Sequence, residues 1–124
     1  MKTENEQVTI HRLSVVARGC RGDLRNNELL TALIRKAAGA SGLSVVGEAV
    51  HAFVPHGLSI VLLLAQSHLV LSTWPEYQTA VLDLMVCADS GAAIAAWQEI
   101  RNYVLPMTFE VIEQSVVTLT TKVR

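Results

Sequence analysis

Charge imbalance, cysteine and aromatic residues are all scarce in this chain, and each scarcity excludes a class of protein. Ten Lys and Arg against eleven Asp and Glu leave a formal net charge of -1 at pH 7, which offers no basic footprint for a nucleic-acid backbone. Cys20 and Cys87 are the only cysteines, too few for a disulfide framework. The polar opening MKTENEQ lacks the apolar core of a secretion signal, so both are expected to be free thiols of a cytoplasmic protein. The longest apolar run, IVLLLA at 60–65, falls far short of the roughly 20 residues that span a bilayer. Four histidines, His11, His51, His56 and His68, are scattered without close cysteine or carboxylate spacing, and no metal site is expected. What is abundant is apolar residues, 51% of the 124. That is enough for one core, and residues 1–124 read as one domain.

The patterning predicts the order β-α-β-β-β-β-α-β. QVTIHRLSVVARG, 7–19, is β-branched and partly alternating, a strand followed by the polar turn CRGDLRNN. Asn26 or Asn27 caps a helix in which Leu29, Leu30, Leu33, Ile34 and Ala37 fall at helical spacing before Gly39, Ser41 and Gly42, with Arg35 and Lys36 on its exposed face. LSVVGEAVHAFV, 43–54, is a strand weakened at Gly47, and Pro55, His56 and Gly57 turn the chain into LSIVLLLA, 58–65. A fourth strand begins near Ser67, and TAVLDLMVCA, 79–88, is a fifth ended by DSG. AAIAAWQEIRNYVL, 92–105, forms a second helix on Ile94, Trp97, Ile100, Arg101 and Val104, stopped by Pro106. Phe109 to Leu119 supplies the last strand, with Val111, Val116 and Val117. This order predicts an α+β fold, a mainly antiparallel sheet with helices packed on one face.

The stretch AQSHLVLSTWPEY, 65–77, sets Ser67 and His68 at a strand start and ends on Trp-Pro-Glu-Tyr. A serine after a strained turn can attack the preceding carbonyl when an oxyanion donor is near, converting an amide to an ester. By themselves these two residues read as a surface pair at a hairpin tip. Together with HAFVPHGLS before them and LDLMVC after them, they resemble the short bacterial and archaeal S-adenosylmethionine decarboxylases, which build a pyruvoyl cofactor by serinolysis at a Glu-Ser-His site. The matching positions are Phe53, Pro55, Gly57, Ser59, Ser67, His68, Leu69, Thr73, Trp74, Pro75, Glu76, Tyr77, Asp83 and Cys87, and HRLSVVARGC is similar to the family's opening strand.

The resemblance implies a two-layer α+β sandwich and assigns roles. Ser67 attacks the carbonyl of Gln66, the chain splits between 66 and 67, and elimination leaves a pyruvoyl group derived from Ser67. That ketone condenses with the substrate amine and accepts the electrons released as carbon dioxide departs. Cys87 matches the family's proton donor, Phe53 a ring that stacks on adenine, Glu76 the carboxylate that holds the ribose hydroxyls, and Ser59 a serine that assists processing. On composition alone Cys87 and Phe53 read as core residues and Glu76 as a solvated turn residue. Trp74 reads as structural, and Asp83 as a hydrogen-bonding residue of the sheet.

Three departures accompany the matches. Ser72 stands where the family carries a histidine that removes the serine α-proton, and a hydroxyl is a poor base. Self-cleavage is therefore expected to be slowed, by up to the roughly 10²- to 10⁴-fold that a general base contributes, unless His68 or His56 substitutes. Gln66 replaces a glutamate before the scissile bond, a tolerable change because the attacked atom is in the backbone. Val50, Gln78 and Thr79 replace an aromatic and a Gly-Tyr pair. The leading reading is a pyruvoyl-dependent decarboxylase of S-adenosylmethionine supplying spermidine synthesis, acting as a homodimer with its site near the subunit contact. A pyruvoyl decarboxylase of arginine or ornithine is the second, and an unprocessed relative that binds a nucleoside or regulates a partner is the third.

Overall fold

The computed structural model describes residues 5–87 and 91–122. The expected features at residues 1–4 and at the Asp89–Ser90 turn lie outside the described residues, as does Ala88. Six strands, β1 (Asn5–Arg18), β2 (Val45–Ala52), β3 (Leu58–Leu64), β4 (Ser67–Trp74), β5 (Thr79–Val86) and β6 (Thr108–Lys122), form one sheet in the order β2-β3-β4-β5-β1-β6. All five pairings are antiparallel. Two helices, α1 (Asn27–Ala40) and α2 (Gly91–Val104), pack against one face. The result is the α+β architecture that the element order predicts.

Strand alternation explains the layering. Leu58, Ile60, Leu62 and Leu64 of β3, Leu69 and Leu71 of β4, Ala80, Leu82, Leu84 and Val86 of β5, and Leu13, Val15 and Ala17 of β1 are buried under the helices. Each buried Leu, Ile or Val contributes about 1.5–3 kcal/mol. The intervening residues, among them Ser59, Val61, Val70, Ser72, Val81 and Met85, are only half-buried on the opposite, open face. No helix among the described residues is long and apolar enough to cross a membrane.

Helix α1 starts where its cap is: Asn26, extended at φ -80° and ψ 104°, accepts the Leu29 amide at 3.1 Å. Its buried stripe is Leu30, Ile34, Ala37 and Ala38. Leu29, expected on that stripe, is 48% exposed, because neighbouring helical residues point about 100° apart. Ile94 of α2 is exposed for the same reason, while Ala92, Ala93 and Ala96 let the helix approach the sheet around Trp97, Ile100 and Val104.

Strand bounds differ from expectation at both sheet edges. β2 starts at Val45 and stops at Ala52, since the Phe53 amide donates to the Gly57 carbonyl at 2.9 Å and closes a loop there. Gly47 marks a register shift against β3, the weak point its sequence position suggests. β6 is longer than expected, and Val111, Val116 and Val117 are exposed. This edge strand follows β1 beyond the helices, which reach it at Phe109, 5.4 Å from Trp97 and capped by the Arg101 guanidinium at 4.5 Å.

Thr73 is a buried polar residue that joins three segments. Its hydroxyl donates to the Leu24 carbonyl at 2.9 Å and accepts the Leu58 amide at 3.1 Å. Thr73→Val keeps the shape but leaves both backbone groups unpaired. A loss of about 1–3 kcal/mol is expected, read as a lower urea midpoint at unchanged slope.

Candidate active site

The β3–β4 hairpin turns on two residues, Ala65 and Gln66, because Leu64 pairs with Ser67. Gln66 has φ 64°, in the left-handed region. A two-residue hairpin ordinarily places glycine or asparagine in such a conformation, and a glutamine there stores strain of about 1–3 kcal/mol. The strained residue carries the carbonyl that precedes Ser67. Its oxygen accepts a hydrogen bond from the Cys87 thiol at 3.2 Å, while the Ser67 hydroxyl donates to the Ala65 carbonyl at 3.3 Å. Cys87 follows β5 and continues the open-face row of Asp83 and Met85. This sets a hydroxyl, the nucleophile type, next to a strained, thiol-bonded carbonyl, the electrophile type.

A cleft of about 410 Å³ lies at the other end of β4. Phe53 and Trp74 present partly exposed rings to it, and Ser59, Ser72, His56 and Glu76 supply its polar groups. Ser59 and Ser72 are cross-strand partners with hydroxyls 2.9 Å apart. Glu76 belongs to a short 3-10 turn, Pro75–Tyr77, and its carboxylate stands 4.0 Å from His56 Nε2. The loop carrying Phe53 and His56 is held down by Gly57, at φ +109°, where a Cβ would come within 2.9 Å of the Thr73 carbonyl oxygen. Only glycine accepts both that backbone conformation and that approach.

The expected site residues therefore form two clusters. Gln66, Ser67 and Cys87 meet at one end of β4; Phe53, Ser59, Ser72 and Glu76 gather at the other. Ser72 lies five positions beyond Ser67, roughly 17 Å along an extended strand. His68 faces away from Ser67's side of the strand, between the strand neighbours Leu63 and Met85. Trp74, read as structural in sequence, also lines the cleft; its position at the end of an alternating strand just before Pro75 is the signal for that.

The departures at Val50, Gln78 and Thr79 lie outside both clusters. Val50 packs against the helix-side core. Gln78, left-handed at φ 50°, closes the 3-10 turn, and its carbonyl accepts the Cys20 amide at 2.9 Å. Thr79 donates its hydroxyl to the Tyr77 carbonyl at 2.9 Å. Asp83 accepts a hydrogen bond from the Ser14 hydroxyl on the open face. Among the described residues, no group of three or more His, Cys, Asp or Glu side chains is placed to hold a metal.

Comparison with known proteins gives a consistent picture. The S-adenosylmethionine decarboxylase family profile matches residues 11–115. The chain is 32% identical over 90 residues to the S-adenosylmethionine decarboxylase proenzyme of Thermotoga petrophila, covering 73% of this chain and 69% of that one. It is 36% identical over 90 residues to the proenzyme of Caldicellulosiruptor saccharolyticus, covering 72% and 69%. The crystal structure of the adenosylmethionine decarboxylase from Aquifex aeolicus superposes with a TM-score of 0.75 at 24% identity, over 95% of this chain and 92% of that one, and so shares the fold.

The two thiols should differ in reactivity. Cys20 is 3% exposed, donates to the Ala17 carbonyl at 3.5 Å, and burial pushes its thiol pKa up, whereas Cys87 is half-buried. With an aromatic disulfide reagent at mildly alkaline pH, one thiol per folded chain is expected to react rapidly and Cys87→Ser to abolish that phase. A fast phase surviving in Cys87→Ser would show that Cys20 is accessible.

Proposed function

The chain belongs to the short prokaryotic, pyruvoyl-dependent S-adenosylmethionine decarboxylase proenzyme family, and on that premise we propose that it cleaves itself between Gln66 and Ser67 and decarboxylates S-adenosylmethionine. The observation that carries this reading is the Cys87 thiol on the carbonyl of the left-handed Gln66. Rotation of Ser67 about χ1 releases Ala65 and brings Oγ to the Gln66 carbonyl carbon. The thiol stabilises charge on the oxygen as the new C–O bond forms. Breaking the C–N bond converts the amide to an ester, frees the Ser67 amine and relaxes the turn.

The residues present fit a pyruvoyl group at position 67, because the serine follows a strained peptide and has a proton-bearing thiol beside it. Such a group supplies a ketone that condenses with an amine and draws electrons from the carbon losing carbon dioxide. Cys87 holds the proton that is returned to the substrate carbon. In the cleft, the ring of Phe53 offers a stacking surface for adenine and the Glu76 carboxylate accepts from ribose hydroxyls. The product is the aminopropyl donor for spermidine synthesis. Val50, Gln78 and Thr79 lie outside the cleft lining, so these departures do not favour arginine or ornithine as substrate.

Two clusters roughly 17 Å apart along a strand cannot serve one substrate within one chain. A second copy related by a twofold axis, open face against open face, runs its β4 in the opposite sense and sets each Ser67 end beside the partner's cleft. The apolar Val16, Val61, Val70, Val81 and Met85 on that half-buried face favour such a homodimer. Both free thiols suit a cytoplasmic enzyme.

Intact mass measured under denaturing conditions tests the reading. Fresh and incubated protein should give fragments meeting between Gln66 and Ser67, the second blocked by pyruvate, and Ser67→Ala should stay whole. A single uncleaved chain throughout would overturn self-processing and leave a binding or regulatory relative.

A further inference from the structure

Resting on the self-processing reading above, we propose that His56 is the general base for the elimination step and acts on Ser67 of the partner chain. The ester formed by serinolysis does not break by itself. A base must take the proton from the Ser67 α-carbon, after which the Cβ–Oγ bond breaks and its electron pair leaves with the Gln66 carboxylate. The dehydroalanine that remains tautomerises and takes up water, releasing ammonia and leaving the ketone. The two hydroxyls in the cleft, Ser59 and Ser72, are bonded to each other at 2.9 Å and are too weakly basic for that proton.

His56 is the imidazole in this cleft. It lines the same wall as Ser59 and Ser72, keeps 35% of its side chain exposed, and has Nε2 4.0 Å from the Glu76 carboxylate. A carboxylate at that distance favours ring orientations that turn Nε2 toward it and leave Nδ1 free. His56 and Glu76 are the two titratable side chains in the cleft lining. His51 stands outside it, edge-on to Phe53 at 4.7 Å. The loop is closed by the Phe53 amide donating to the Gly57 carbonyl, and Gly57 lets it pass close to the Thr73 carbonyl, so the ring is presented by a hydrogen-bonded turn rather than by a free one. His68, although next to Ser67 in sequence, lies between Leu63 and Met85 in the sheet and has no carboxylate partner among the described residues.

The test separates this assignment from the reading beneath it. His56→Ala protein is expected to form ester but to eliminate about 100-fold or more slowly. Its chain then stays at parent mass until hydroxylamine splits it into two fragments, the second beginning with an unblocked serine. Added imidazole should restore pyruvate-blocked fragments, which repair of a purely structural defect would not do. Co-expression with Ser67→Ala under a different tag should restore cleavage of the His56→Ala chain alone, since the mixed dimer sets an intact His56 against its Ser67. Parent protein that never cleaves would defeat the self-processing reading. Parent protein that cleaves while His56→Ala matches its rate would overturn only the role of His56, as would a block confined to His68→Asn. Imidazole rescue without complementation by Ser67→Ala would overturn action across the dimer.

Discussion

The two-residue period of an antiparallel strand is the constraint on which the rest of this molecule depends. Every second side chain of β1, β3, β4 and β5 is committed to the core beneath α1 and α2, and the residues between must then face the other way. Ser59, Ser72 and Cys87 reach the open face because their neighbours Leu58, Leu71 and Val86 are held in the core. A one-residue slip of β4 would exchange Leu69 and Leu71 for Val70 and Ser72, burying the Ser72 hydroxyl and parting it from Ser59. Core packing therefore sets the register that the chemistry uses.

Two local devices act on that scaffold, one at each end of β4. At the start, a short turn forces Gln66 into the left-handed region and points its carbonyl at Cys87. At the end, Gly57 permits a backbone approach that no other residue would accept, and Thr73 joins the same strand to β3 and to the segment around Leu24. Strain at the first site and rigidity at the second are complementary. A peptide that is to be broken gains from stored strain, whereas a cleft that must orient a ligand gains from a backbone that does not move.

Much of the fold was legible because it rests on local rules. The element order, the cap region at Asn26 and Asn27, the weak point at Gly47 and the turn at Pro55 to Gly57 follow from periodicity and turn chemistry. The differences are also local in origin. Leu29 and Ile94 share helical spacing with buried residues yet are exposed, because hydrophobicity does not say which side of a helix meets the sheet. Val111, Val116 and Val117 look like core residues in a list, yet β6 is an edge strand that leaves the shelter of the helices. The candidate site was legible as a motif but not as an arrangement, since Ser67 and Ser72 are close in sequence and distant along an extended strand.

Sequence by itself determined the antiparallel α+β class, the family and the chemical types available, because periodicity and motif spacing are properties of the chain. Tertiary structure alone decided that Val50 faces the core, that Cys87 reaches the Gln66 carbonyl, and that His56 shares a cleft with Ser59, Ser72 and Glu76. Those facts depend on strand pairing between residues as far apart as His68 and Met85. Pairing is settled by the whole core at once rather than by any one segment.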